Sequence, residues 1–148
     1  MKPWLAVLAS ATLGAGVQGC AARDPGGELR SLIESAESAA EARDTGFFRE
    51  LLSASYVDAR GRRRDDVINL IRGFFLVNST IEVVNRIDEI VLAGDDAATV
   101  TLQAAVVGHA PGRSVLGLEA DIYRIELELE LVREDDAWRV IGADWREP

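Results

Sequence analysis

Apolar and acidic residues alternate with a period of two near the end of the chain. Three leucines, Leu127, Leu129 and Leu131, alternate here with three glutamates, Glu126, Glu128 and Glu130. Only an extended strand uses such a period to bury one face and solvate the other. After a polar break at 134–136, β-rich residues resume at Trp138, so the stretch from Glu119 to Trp145 is predicted to form a hairpin.

Earlier segments show the three-and-four spacing of amphipathic helices. The first helix is predicted from Leu29 to about Arg43, with its glutamates, Glu34, Glu37 and Glu41, on the solvent side. A short second helix follows Asp44 or Thr45 as N-cap. A third starts at Asp65 or Asp66 and ends at Asn78.

Two further strands are predicted between the third helix and the hairpin. The apolar residues Ile81, Val83 and Ile87 are at odd-numbered positions and share one face of the strand. Ile90 is at an even-numbered position, of the opposite parity, and would lie on the other face, so a bulge is expected near Asp88 and Glu89. A turn at 94–96 and a strand over 100–106 follow, and 108–117, with His109, is predicted to be a loop. The first strand of the last hairpin is expected to exchange its buried face at a bulge near Tyr123.

This order of elements defines the fold class. We predict an α+β fold in which three N-terminal helices pack on a strongly curved, mainly antiparallel sheet. At 148 residues the chain fits one domain, predicted over 28–148, after an export segment.

The export segment is a basic start followed by the uncharged apolar run from Leu5 to Val17, which is shorter than the ~20 residues that span a bilayer. It ends in Val17, Gln18, Gly19 and Cys20, which resembles the lipobox of bacterial lipoproteins. The resemblance implies a signal peptide over 1–19, diacylglycerol on Cys20, a lipidated tether over 20–27, and, because Ala21 follows, an outer-membrane location facing the periplasm of a Gram-negative bacterium. The alternative is a secreted protein with a chance cysteine.

The stretches 31–75, 87–102 and 135–145 together resemble the nuclear transport factor 2-like superfamily, which includes ketosteroid isomerase and polyketide cyclase-like proteins. The resemblance covers 28–145 and implies a cone-shaped fold with a pocket between the helices and the concave face of the sheet. It implies no single function, because the superfamily hosts enzymes and non-enzymes.

Three residues are candidates for catalysis. Asp121 and Tyr123 share the parity of the buried leucines, where a carboxylate could act as a general base and a phenol could stabilise an oxyanion. A bulge near Tyr123 would instead turn Asp121 to solvent. Tyr56 could reach the pocket from the opposite wall, and with Tyr123 and Trp145 it is predicted to line that pocket.

The sequence offers little support for binding of a metal, a cofactor, an anion or nucleic acid. Cys20 is the single cysteine and His109 the single histidine, so we predict no metal site and no cofactor. The arginines at 60 and 62–64 could bind an anion, but the simpler interpretation is that they lie in a solvated loop. A net charge of −9 argues against nucleic acid as a partner.

The leading hypothesis is a membrane-anchored lipoprotein, more simply non-catalytic, whose pocket binds a small apolar ligand or which self-associates. A homodimer would dock through an apolar corner of the outer sheet face formed by Val132, Trp138 and Val140. The alternative is an isomerase- or dehydratase-like enzyme acting on a small hydrophobic substrate.

The lipid anchor makes the first testable prediction. Cys20→Ser removes the sulfur that would carry the diacylglycerol, so the variant should move from the membrane pellet to the soluble fraction after cell lysis. Immunoblotting of the two fractions measures this shift, and unchanged fractionation with the membrane would refute lipidation at Cys20.

Overall fold

The computed structural model describes residues 22–112 and 120–148. Three helices precede four strands, which confirms the predicted α+β class. The elements are α1 (Pro25–Glu41), α2 (Thr45–Leu51), α3 (Arg64–Val77), β1 (Thr80–Leu92), β2 (Ala97–His109), β3 (Ala120–Glu134) and β4 (Ala137–Arg146).

The four strands form one antiparallel sheet in the order β1-β2-β3-β4, so β1 and β4 are its edges. The sheet is curled but unclosed, and the helices lie against its concave, apolar face. Both hairpin turns, 93–96 and 135–136, lie at one end of the sheet, here called the turn end. The opposite end, where β1 begins and β2 ends, is here called the open end.

Side-chain caps fix where the helices begin. The Asp24 carboxylate accepts a hydrogen bond from the Gly27 backbone N–H at 3.0 Å, and Pro25 occupies the first helical position, where no N–H donor is needed. The helix therefore starts before the predicted Leu29, and the prediction that the tether extends to Gly27 is wrong. Asp44 caps α2, and Asp66 accepts from the Arg63 N–H at 2.9 Å at the start of α3.

Two local predictions about the strands are confirmed. The β1–β2 register jumps between Ile87 and Glu89, which leaves Asp88 as the bulged residue. The β3–β4 hairpin turns on Asp135 and Asp136, whose φ angles are 49° and 61°. Aspartate tolerates this left-handed conformation better than most residues, and two such residues suit a two-residue hairpin turn.

The predicted bulge near Tyr123 is wrong. β2 and β3 pair without interruption from Ala97↔Val132 to His109↔Ala120. The irregularity lies instead at the other edge of β3, where Ile141 of β4 has no partner between Glu130↔Gly142 and Leu131↔Val140. β3 therefore makes no face switch over 120–134, and Ile122 lies on the outer face with 63% of its surface exposed, whereas β4 carries a bulge at Ile141.

This bulge changes which residues of β4 face inward. Before it, Trp138 and Val140 point into the core, with only 6% and 2% of their surfaces exposed. The predicted apolar corner on the outer face is therefore wrong for both residues. Beyond the bulge, Ala143 and Trp145 pair with Leu129 and Leu127 and take over the inward direction.

His109 belongs to the end of β2 and not to a loop as predicted, because the strand continues through Gly108. Gly108 is required there because a Cβ atom would collide with the buried side chain of Asn78. The Ser79 N–H also donates to the His109 carbonyl at 2.8 Å, which ties the end of α3 to β2.

The core is densest at the turn end. Leu29, Val100 and Leu131 are almost wholly buried there. Arg133 closes this end: its Nη2 donates to the Glu28 Oε2 at 2.6 Å, and its guanidinium carbon lies 4.5 Å from the centre of the Trp138 ring. The hydrogen bond from Arg133 holds the pKa of Glu28 below its usual range.

No helix within the described ranges is both long enough and apolar enough to cross a membrane. The predicted signal peptide and Cys20 lie outside the described residues.

The dense core predicts how two leucine substitutions differ. Leu29→Ala should lower the free energy of unfolding by about 2–5 kcal/mol, because it leaves a cavity among fully packed neighbours. Leu76→Ala is the matched control: Leu76 is 80% exposed on α3, so the same substitution should change stability by less than about 0.5 kcal/mol. Urea denaturation of both variants measures this, and equal losses would contradict the described core.

Candidate ligand-binding site

A cavity of about 610 Å³ lies between the helices and the concave face of the sheet. All three helices and all four strands contribute to its walls, and the lining is mostly aliphatic or aromatic. Leu131 and Val140 lie toward its floor near the core. Leu70 and Tyr123, which are 52% and 44% exposed, lie at its mouth, so the cavity opens at the open end of the sheet.

The sequence of α1 explains why this space is empty. Near the turn end the helix presents Leu29, Leu32 and Ile33 to the sheet, whereas near the open end it presents Ala36 and Ala40. One helix therefore fills the space at one end and leaves it vacant at the other. Strand β2 follows the same trend, since Leu102 gives way to Ala104 toward the open end.

Aromatic residues surround the mouth. The rings of Phe74 on α3 and Tyr123 on β3 pack edge to face, with 5.7 Å between their centres. This contact joins the C-terminal half of α3 to the sheet and shapes one side of the opening. Tyr123, a predicted pocket residue, thus lies on the cavity wall and at its rim.

Tyr56 lies on the cavity wall beside β4, where the Val57 N–H donates to the Ile141 carbonyl at 3.1 Å. Only 2% of Tyr56 is exposed, and burial, together with the nearby charge of Asp58, raises the pKa of its phenol to about 12. Its hydroxyl makes no hydrogen bond within residues 22–112 and 120–148. The phenol of this wall residue is therefore un-ionised at neutral pH and can donate or accept a hydrogen bond.

Trp145 lies on the same side of the cavity and is held from behind by arginine. The guanidinium carbons of Arg62 and Arg60 lie 4.1 Å and 4.9 Å from the centre of its ring. Arg62 is itself fixed by Asp58, whose Oδ2 accepts from Arg62 Nε at 2.8 Å. Two arginines of the predicted basic loop therefore contribute to the structure of the cavity wall.

Asp58 is almost completely buried yet ionised. Burial alone would raise its pKa, but hydrogen bonds from the Arg62 N–H, the Arg62 side chain and the Arg60 N–H outweigh this effect and hold the pKa below its usual range. The carboxylate thereby orders the turn that carries both stacked arginines.

The cavity also contains a polar pair that was not expected from the sequence. Glu37 of α1 accepts a hydrogen bond from the side-chain amide of Asn85 on β1, and both residues line the cavity. The prediction that Glu37 faces solvent is wrong. Glu41 is exposed as predicted, and its carboxylate also reaches the sheet, where it accepts a hydrogen bond from the Val83 N–H at 3.2 Å. Both carboxylates bridge α1 to β1, because the edge strand leaves polar groups unpaired toward the helix.

Asp121 occupies a different position. It shares the face of Tyr123 and Ile125 because β3 runs through this region without a bulge. It is half-buried beyond the rim, opposite Gly108, and is not part of the cavity lining. Of the three candidate catalytic residues, the structure therefore brings Tyr56 and Tyr123 onto the cavity wall and leaves Asp121 outside it.

The described residues contain no cluster of three or more histidine, cysteine or acidic side chains arranged to hold a metal ion. His109 does not line the cavity, although it lies at the same end of the sheet. Among the residues that the structure describes, the charged ones on the cavity wall are Glu37 and Glu147.

Comparisons with known structures define the class of fold. A protein from Kribbella flavida superposes with a TM-score of 0.72 at 14% identity, covering 83% of this chain and 90% of that one. A scytalone dehydratase-like protein from Novosphingobium aromaticivorans also gives 0.72, at 12% identity and with 82% of each chain covered. A nuclear transport factor 2-like superfamily protein from Salmonella enterica gives 0.67 at 14% identity, covering 84% and 91%.

The chain therefore has the nuclear transport factor 2-like fold, which confirms the resemblance at the level of architecture. No protein-family model matches the sequence. No curated protein matches it either. Identities of this size carry the fold and not the activity of the neighbours.

The raised pKa of Tyr56 can be measured directly. The chain has two tyrosines, so Tyr123→Phe leaves Tyr56 as the only phenol. Titration of phenolate absorbance at 295 nm should give a midpoint of about 12 in the folded protein. In urea the same variant should titrate near the ordinary value of about 10.

The raised pKa of Tyr56 also makes the stability of the fold depend on pH. The unfolded chain loses the Tyr56 proton before the folded chain does, so its contribution to the free energy of unfolding falls as the pH rises from about 10 to about 12. A folded-state midpoint near 10 would contradict the buried position of Tyr56.

Proposed function

We propose that this domain binds a small apolar ligand in the cavity between the helices and the sheet. The observation that carries the proposal is an unfilled apolar space of about 610 Å³, within the range of about 300–1,000 Å³ that is usual for ligand pockets. Protein cores normally close to crystalline packing density, and exposed apolar surface costs stability. A space of this size is therefore best explained by an occupant.

The few polar groups on the wall suit such an occupant. The Tyr56 hydroxyl lies beside β4, and the Glu37–Asn85 pair lies beside β1, the opposite edge of the sheet. A ligand spanning the cavity would meet aliphatic walls and a polar group at each side. This arrangement can orient a mainly apolar molecule, which is the usual role of isolated polar groups in apolar pockets.

We also propose that the domain is held at the membrane by lipid on Cys20, on the periplasmic side of the outer membrane. The first described residues leave the domain at the turn end, where Arg23 pairs with Asp136 at 3.2 Å. The four Cα-to-Cα steps from Cys20 to Asp24 can reach at most about 14 Å. The anchor would thus hold the turn end toward the lipid, with the mouth of the cavity facing away from it.

An isomerase- or dehydratase-like enzyme is the second candidate. It is supported by the presence of a carboxylate, Glu37, and an un-ionised phenol, Tyr56, in the same apolar cavity. Such groups can serve as a general base and as a hydrogen-bond donor to a developing oxyanion. Catalysis would require a substrate to lie within reach of both groups.

Filling the cavity tests the ligand-binding proposal. The fluorescence of N-phenyl-1-naphthylamine should rise and shift to the blue with the wild-type protein, because this uncharged probe brightens in apolar surroundings. Ala104→Phe places a ring into the cavity and should reduce the fluorescence gain at least tenfold.

Ala105→Phe is the matched control, because the neighbouring β2 side chain points to the opposite face of the sheet. It should bind the probe like the wild type. No fluorescence gain with the folded wild-type protein, or equal binding by both variants, would overturn the proposal.

A further inference from the structure

The polar wall of the cavity offers hydrogen-bond acceptors. An ionised carboxylate only accepts, so the Asn85 amide must direct its NH₂ group to Glu37, which leaves the Asn85 carbonyl oxygen as an acceptor. The second oxygen of Glu37 is also an acceptor. Neither oxygen has another partner within residues 22–112 and 120–148. A ligand passing this wall therefore meets two acceptor oxygens from adjacent side chains.

The charge on the described part of the cavity wall has one sign. Within residues 22–112 and 120–148 its charged lining residues are Glu37 and Glu147, whereas Arg60 and Arg62 lie against the Trp145 ring, with Arg62 bound to Asp58. The whole chain carries a net charge of −9, which adds a negative field around the mouth. An anionic ligand would be repelled, whereas a cation would be attracted.

We propose that the ligand is an amphiphilic amine, whose apolar body fills the cavity and whose protonated amino group binds between Glu37 and the Asn85 carbonyl oxygen. This inference rests on the proposed ligand-binding function and specifies its chemical class. An ammonium group has three N–H donors, no acceptor and a positive charge, which complements two acceptors of which one is charged. A neutral alcohol has one donor and no charge, so it matches this wall less well.

The experiment compares ligands with the same eight-carbon chain. Isothermal titration calorimetry at pH 7 should show that octylamine, which is protonated there, binds wild-type protein at least tenfold more tightly than 1-octanol. Octanoate should bind more weakly than both. Octyltrimethylammonium keeps the charge but has no N–H donor, and it should bind more weakly than octylamine.

Two variants test whether Glu37 causes the preference for octylamine over 1-octanol. Glu37→Gln should remove the advantage of octylamine, lowering its affinity about tenfold while 1-octanol binds as before. Glu34→Gln removes the same charge from an exposed position three residues earlier on α1, and it should leave all affinities unchanged. The four ligands tested on the wild type keep the proposal falsifiable if Glu37→Gln does not fold.

The outcomes separate the two proposals. Equal affinities for octylamine and 1-octanol in the wild type, or an equal loss in Glu34→Gln and Glu37→Gln, would overturn the amine site while leaving an apolar cavity. Equal or tighter binding of octyltrimethylammonium would overturn the direct hydrogen bonds. No binding of 1-octanol and no binding of the naphthylamine probe would overturn the ligand-binding function itself.

Discussion

The structure depends on how completely the helices cover one continuous apolar face. β3 supplies this face with alternating leucines, and water must be excluded from them for the sheet to be stable. Helix α1 covers the turn end with large side chains and the open end with Ala36 and Ala40. The same helix thereby builds the core at one end and the cavity at the other.

The position of α1 is fixed by polar contacts near both of its ends. At the turn end, Arg133 binds Glu28 and stacks on Trp138, and its side chain is only 8% exposed. Toward the open end, Glu37 and Glu41 accept hydrogen bonds from β1. Truncating Arg133 would remove both its hydrogen bond to Glu28 and its stacking on Trp138. These contacts keep the helix over the sheet while leaving the cavity beneath it unfilled.

Much of the fold could be predicted because its signals are local. Leucines at every second position show a half-buried strand, and the change of parity between Ile87 and Ile90 showed the bulge at Asp88 before any pairing was known. The last hairpin is less predictable. Apolar residues at both odd and even positions of β3 predict a bulge near Tyr123, but β3 continues without one and Ile122 lies exposed on the outer face. The bulge at Ile141 of β4 is not predicted, because the pattern of one strand does not show where its register against a partner slips.

The site was less predictable because it is made by contacts distant in sequence. Glu37 fits the polar side of an amphipathic helix, and nothing near it indicates that Asn85, 48 residues later, lies opposite. Tyr56 was a candidate by its position, but its raised pKa comes from the burial that the folded core provides. Asp121 lies on the same face of β3 as the cavity residues, but beyond the rim of the cavity. The alternation of residues predicts the face on which a side chain lies, but not how far along the strand the cavity extends.

Chemical-shift mapping of methyl groups tests the central claim, that the space left by α1 is a ligand site, most directly. Addition of 1-octanol to the isotopically labelled protein should shift the methyl signals of cavity residues such as Leu102, Val106 and Leu129. The methyl signals of Val84 and Val91, which are exposed away from the cavity, should stay unchanged. Shifts confined to Val84 and Val91, or no shifts at saturating 1-octanol, would contradict the account.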